Sequence, residues 1–212
     1  MGVENMNYTT ILKTAFGNFI KSVERREKDE NDMIYTHLIT AGGAWEHWFK
    51  FELLSELYKD KHLDLMQYSI TPETSYIDIV ISKKHFSKRN KVSYEHECMI
   101  ELKISSNWYL KDHQLDKIIY DIDKLERRDT ELDKFLIVLN TFALPANGTA
   151  GWINDQINKG LGTNNEKEYL SYIKSYIGKH KKYIISKMPA TISFPNEFFK
   201  KVILSGFIIK VK

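Results

Sequence analysis

The run Tyr76-Ile77-Asp78-Ile79-Val80-Ile81-Ser82 sets one acid inside an otherwise apolar, β-branched stretch, the composition of a buried strand. A carboxylate left without a partner there is costly, so any fold of this chain must bring Asp78 a compensating group. The next extended stretch, Tyr94 to Ser105, offers candidates. Period-two alternation puts His96, Cys98, Ile100, Leu102 and Ile104 on one face and Glu97, Met99, Glu101 and Lys103 on the other. Glu101 and Lys103 therefore point the same way, with Cα atoms about 6.8 Å apart at strand rise, and both can address one small site beside Asp78 on the neighbouring strand.

Two carboxylates from adjacent strands, with the carbonyl of Leu102 between Glu101 and Lys103, form an oxygen set suited to a hard divalent cation. Mg²⁺ is the first candidate and Mn²⁺ its substitute, because Mg²⁺ keeps several waters and needs only one or two carboxylates plus substrate phosphate. Such an ion polarises a phosphoryl oxygen and supplies hydroxide, while Lys103 orients the attacking water or offsets charge on phosphorus. The reaction expected is phosphodiester hydrolysis. Nowhere else in the chain is an acid followed two residues later by lysine.

The surrounding pattern gives an α/β order. Ile11, Leu12, Ala15, Phe16, Phe19, Ile20 and Val23 form one helical stripe within residues 8–27, and Thr40-Ala41-Gly42-Gly43 opens a second helix running to about Lys59. Extended stretches at Leu63 to Ile70, Tyr76 to Ser82 and Tyr94 to Ser105 read as an antiparallel meander, with Thr71-Pro72-Glu73 and a lysine-rich 83–91 segment as turns. A helix over Leu110 to Arg127 and a continuous apolar strand at Phe135 to Leu139 follow. Past Leu144 come a short piece at Trp152 to Ile157, a tyrosine-rich helix from Glu166 to Ile185, and short strands near Ala190 to Phe194 and Val202 to Val211. With 212 residues, 4 Pro and 10 Gly, a single domain without a long linker is expected.

On these residues the chain resembles the PD-(D/E)xK nuclease superfamily. That family's restriction-endonuclease-like core is a helix, three antiparallel strands, a helix and a fourth strand (αβββαβ), a mixed sheet flanked by helices. The likeness covers roughly Thr40 to Phe142, so the core spans about 40–143, preceded by an N-terminal helix and followed by a basic α+β extension over about 145–212. Ile77-Asp78 stands where the family places Pro-Asp, and Glu101-Leu102-Lys103 stands where it places (Asp/Glu)-x-Lys. Ile77 departs from the pattern, but the proline is not a ligand.

The resemblance implies Asp78, Glu101 and the Leu102 carbonyl as metal ligands and Lys103 as the catalytic cation. It also implies a supporting glutamate on the helix before the first strand. Glu46 shares a stripe with Phe49, Leu53 and Leu57, whereas Glu52 is rotated about 120° away, so Glu46 is the better candidate. On the helix after the third strand, Gln114, with Lys111 and Lys117 nearby, stands where related nucleases present a glutamine or lysine to the scissile phosphate. A homodimer and a DNA endonuclease activity, of the restriction or defence kind, are the family's implications.

Charge agrees with a polyanionic partner. From Pro145 onward eleven lysines face only Asp155, Glu166, Glu168 and Glu197, although the whole chain carries a formal net charge of only +3. Lys179, Lys181 and Lys182 are the expected phosphate contacts, while Tyr169, Tyr172 and Tyr176 at i, i+3 and i+7 are more simply a packing stripe. His113 and His96 read as core or interface residues. The lone Cys98 cannot form an internal disulfide, and no Cys/His cluster has zinc spacing. No Gly-Lys-Ser/Thr follows the glycines to make a P-loop, and no export signal or apolar span of about 18 residues is visible. A cytoplasmic protein that stays off membranes is expected. The alternatives to a DNA endonuclease are an inactive nucleic-acid-binding module of the same fold and a junction-resolving or RNA-directed nuclease.

Overall fold

The computed structural model describes residues 6–29, 35–36, 45–74, 76–89, 91–108, 114–128, 131–146, 151–180, 184–187, 192–194 and 198–211. Helix α1, Tyr8–Glu27, begins where the Asn7 side chain accepts the Thr10 N–H at 3.2 Å, satisfying one of the donors that a helix start leaves open. Its buried stripe is the one the sequence periodicity gives. Helix α2, Trp45–Tyr58, packs across it: the Phe49 ring lies 5.1 Å from Phe19 and 6.1 Å, edge-on, from Phe16.

Strands β1 (Tyr68–Thr74), β2 (Ile77–Phe86) and β3 (Val92–Ser106) form the antiparallel meander. Helix α3, Gln114–Glu126, then leads to β4, Asp133–Pro145, which lies parallel to β3. A parallel neighbour requires a crossover of this kind, and α3 provides it. Helices α4 (Gly151–Asn158) and α5 (Glu166–His180) precede β5 (Ile184–Lys187), β6 (Ile192–Phe194) and β7 (Phe199–Val211). Strand β7 runs antiparallel along β4 from Lys134↔Val211 to Pro145↔Phe199. The sheet order is β1-β2-β3-β4-β7-β5, with β6 also on β7.

Both faces of this mixed sheet are covered. Ile79, Ile81, Cys98, Ile100, Leu102, Phe135, Ile137 and Leu139 pack with α1, α2 and Ile153 of α4. On the other face Val80, Met99, Leu136 and Val138 meet Leu115, Ile118, Ile122 and Leu125 of α3 and Tyr169, Ile173 and Ile177 of α5. Strand β4 is buried on both sides, which is why its sequence is a continuous apolar run rather than an alternation. No helix among the described residues is long and apolar enough to cross a membrane.

Several expected boundaries move, each for a local reason. Strand β1 starts at Tyr68, not Leu63, because Asp64 nucleates a turn, its carboxylate accepting the Met66 N–H at 2.9 Å and its carbonyl the Gln67 and Tyr68 N–H groups at 2.8 Å. Pro72 lies within β1 rather than in a turn, as an edge strand permits. The lysine-rich turn shrinks to 87–91, closed by the Ser87 N–H on the Lys91 carbonyl. The last helix stops at His180, and Ile184-Ile185 pair with Lys210 and Ile209 of β7 instead, a β-branched pair suited to a strand. Glu97 leaves the face of Glu101: Ile81 pairs with Cys98 and Ser82 with His96, so Glu97 is the extra residue of a bulge and accepts a 2.5 Å hydrogen bond from Tyr8 of α1.

The C-terminal part is fastened to the end of β3 at a close approach. The buried Asn107 side chain accepts the Ala143 N–H at 2.8 Å and donates to the Thr163 carbonyl at 2.8 Å. A Cβ on Gly162 would lie 2.3 Å from the Asn107 carbonyl oxygen, whereas one on Gly178, within α5, would meet nothing. Gly162→Ala is therefore expected to destabilise the fold by about 1–3 kcal/mol, and Gly178→Ala to stabilise it by up to about 1 kcal/mol. Urea unfolding of the two variants checks this, and the same sign for both would contradict it.

Candidate active site

The site forms where β2 and β3 part. Their backbone pairing runs from the hairpin as far as Ile79↔Ile100. One residue further on, the alternation of β2 breaks: Ile77 packs with the α3 face and Ile79 with the α1 and α2 face. Asp78, between them, replaces the ladder with its side chain. Its Oδ2 accepts the Leu102 N–H at 2.9 Å, and its Oδ1 meets Lys50 Nζ of α2 at 3.2 Å. These are the compensating groups that an acid in an apolar strand demands.

Glu101, on the adjoining strand, is 2% exposed, and its Oε1 lies 2.7 Å from Lys124 Nζ of α3. Burial, with the negative charge of Asp78 and Asp121, holds its carboxyl up at about 8 against the pull of Lys124. Lys103 Nζ stands 3.1 Å from Glu46 Oε1 of α2 and 3.1 Å from Asp121 Oδ2 of α3. Burial disfavours that ammonium, but the two carboxylates outweigh burial and hold it above the ordinary lysine range. Lys124 also contacts Asp121 at 3.4 Å and donates to the Tyr76 carbonyl at 2.9 Å.

Four elements thus deliver Glu46, Asp78, Glu101 and Asp121 together with Lys50, Lys103 and Lys124. Asp78, Lys50 and Lys124 line an open cleft of about 690 Å³, with His47, Tyr76 and Tyr120 on its walls. Each carboxylate faces an ammonium, and among the described residues no three His, Cys, Asp or Glu side chains are grouped to hold a metal ion. Chemically the cluster offers hard oxygen donors at Asp78 and Glu101 and an ammonium, Lys103, that stays charged.

Of the residues singled out by sequence, Asp78, Glu101, Lys103 and Glu46 come together. Glu52 points elsewhere and pairs with Arg26 at 2.6 Å. The Leu102 side chain is in the core, and its N–H serves Asp78. Lys117 is exposed on α3. Gln114 opens α3 and Lys179 lies in α5, but their side chains, like Lys111, His113, Lys181 and Lys182, lie outside the described residues. His96 is exposed and bonds Ser82. Tyr169 is buried and donates to the Ser105 carbonyl at 2.6 Å, and Tyr176 donates to Asp116.

Sequence reasoning missed Lys50, Asp121 and Lys124. A signal existed for each: Lys50 is i+4 from Glu46 on the buried stripe of α2, and Asp121 and Lys124 are an i, i+3 pair set among Ile118, Ile122 and Leu125.

Because the folded state holds the Glu101 proton well above the ordinary value of 4.5, it binds a proton the unfolded chain has released, and stability falls as pH rises between those values. Glu101→Gln keeps the shape and removes the titration. The melting temperature of the native protein is expected to drop relative to that of the variant between pH 5 and 8, and a constant difference across that range would contradict this. Compared with family models, curated proteins and solved structures, the chain matches none.

Proposed function

We propose that this chain is a Mg²⁺-dependent DNA endonuclease of the PD-(D/E)xK kind. One observation carries the reading: Asp78 and Glu101 stand on neighbouring strands where the β2–β3 ladder opens beside a cleft, in one charged cluster with Lys103 and Glu46. The order α2-β1-β2-β3-α3-β4, with β3 and β4 parallel, supports it, as does the lysine excess beyond Pro145.

The charge at the site favours a divalent ion. Glu101 is a buried carboxyl pushed up by burial and by the charge of Asp78, a conflict that a divalent cation shared by both would relieve better than the ammonium groups of Lys50 and Lys124 do. Asp78, Glu101 and the Leu102 carbonyl are the proposed ligands, and when bound the ion supplies Lewis acidity and a lowered pKa for water. Lys103, kept cationic by Glu46 and Asp121, donates to the phosphoryl oxygen or the attacking water and stabilises charge as it builds on phosphorus. Gln114 and Lys117 of α3 with Lys111, and Lys179 of α5 with Lys181 and Lys182, hold the flanking phosphates. Two copies are expected to pair.

A second reading has its own observation. The contacts Lys50–Asp78 and Lys124–Glu101 already occupy both acids, as they would in a module that binds DNA without cutting it.

Plasmid nicking separates the two. The native protein is expected to nick with Mg²⁺ and not with EDTA, and Asp78→Ala and Lys103→Ala to lose about 10²-fold or more of the rate. Equal activity in all of them rejects the assignment, and salt-sensitive DNA retention without cleavage selects the second reading.

A further inference from the structure

Tyr76 is 90% exposed and Tyr120 is 66% exposed, although rings of this size gain most by being buried. Tyr76 also has φ 66°, the left-handed region that a bulky residue rarely adopts. Lys124 fixes that conformation by donating to the Tyr76 carbonyl at 2.9 Å while its ammonium lies 2.7 Å from Glu101. The turn that holds one ring out in solvent is therefore tied to an acid of the cluster. Both rings line the cleft that Asp78 lines. An adjoining hollow of about 200 Å³ shares Tyr120 and Lys124 with it and adds Arg127 and Arg128 at the end of α3. Ring, carboxylate, ammonium, ring and guanidinium groups thus border a depression made of two hollows that share Tyr120 and Lys124.

We infer that this depression binds DNA as an unpaired strand, with Tyr76 and Tyr120 stacking on bases either side of the phosphate that faces Asp78, and Arg127 and Arg128 gripping the phosphates beyond. The reason is chemical. Base faces inside a duplex are covered by their neighbours, so a duplex offers a protein only groove edges and backbone, for which lysine and arginine suffice. Exposed tyrosines gain contact only from bases whose faces are free, in a single strand, a frayed end or a flipped nucleotide. Because stacking is tolerant of base identity, the site carries little sequence preference. This narrows the substrate class of the proposed function and rests on that reading for cleavage, though not for binding.

The test uses the full chain in EDTA and measures fluorescence anisotropy of an oligothymidine of about 12 nucleotides and of a blunt duplex of the same length. Tyr120→Ala, on an exposed helix face, is expected to weaken oligothymidine binding by roughly 5- to 100-fold, with Tyr120→Phe and Tyr76→Phe near native and duplex binding unchanged. Arg127→Gln is expected to reduce the salt slope of oligothymidine binding by about 0.7. Single-strand affinity unmoved by Tyr120→Ala and Tyr76→Ala overturns the inference, and does so without touching the endonuclease assignment if plasmid nicking persists. Tyrosine-dependent binding in a protein that cuts nothing upholds the inference and removes the assignment instead.

Discussion

The hydrogen bond from the Leu102 N–H to Asp78 is the contact on which the rest of the cluster depends. A strand that leaves its neighbour inside a protein strands backbone donors, and each one buried without a partner costs about 1–3 kcal/mol. Here a carboxylate takes the place of the missing strand carbonyl, so the ladder can open without an orphaned donor. The substitution fixes the orientation of Asp78, and its other oxygen is left facing Lys50 and the cleft. Lys50 in turn is buried and reaches Asp78 only because Phe49 and Leu53 seat α2 against α1 and the sheet. The core packing and the polar cluster are consequently one structure.

Electrostatics ties the remaining groups together. Removing one partner of a buried pair is far costlier than removing both, and Asp121 and Lys124 each have two partners of opposite charge in the cluster. Lys103 is held between Glu46 and Asp121, while Asp78 and Glu101 face Lys50 and Lys124. A cation at Asp78 and Glu101 would compete with Lys50 and Lys124 and leave the partners of Lys103 in place, so the Lys103 ammonium would keep its charge. The extension after Pro145 is no appendage to this arrangement, since β7 lies along the full length of β4, the strand parallel to β3.

What the sequence made legible was whatever follows from periodicity and burial. The stripe of α1, the alternating strands of the meander and the buried run of β4 are all statements about which sides of a regular element are covered. Regularity was also the limit. The bulge at Glu97 and the broken alternation at Asp78 are departures from period two, and nothing in the residues themselves marks them. Lys50, Asp121 and Lys124 were overlooked because lysine and aspartate on a helix ordinarily face water; their burial comes from tertiary packing. The Tyr76 conformation likewise depends on a hydrogen bond spanning 48 residues.

If Asp78 and Glu101 share one divalent cation, a crystal soaked in Mn²⁺, with data collected at the manganese edge, will show an anomalous peak between the two carboxylates, with the Lys124 ammonium moved off Glu101 and Lys103 still beside Glu46. No peak at saturating Mn²⁺, with the Lys50–Asp78 and Lys124–Glu101 contacts unchanged, would contradict it.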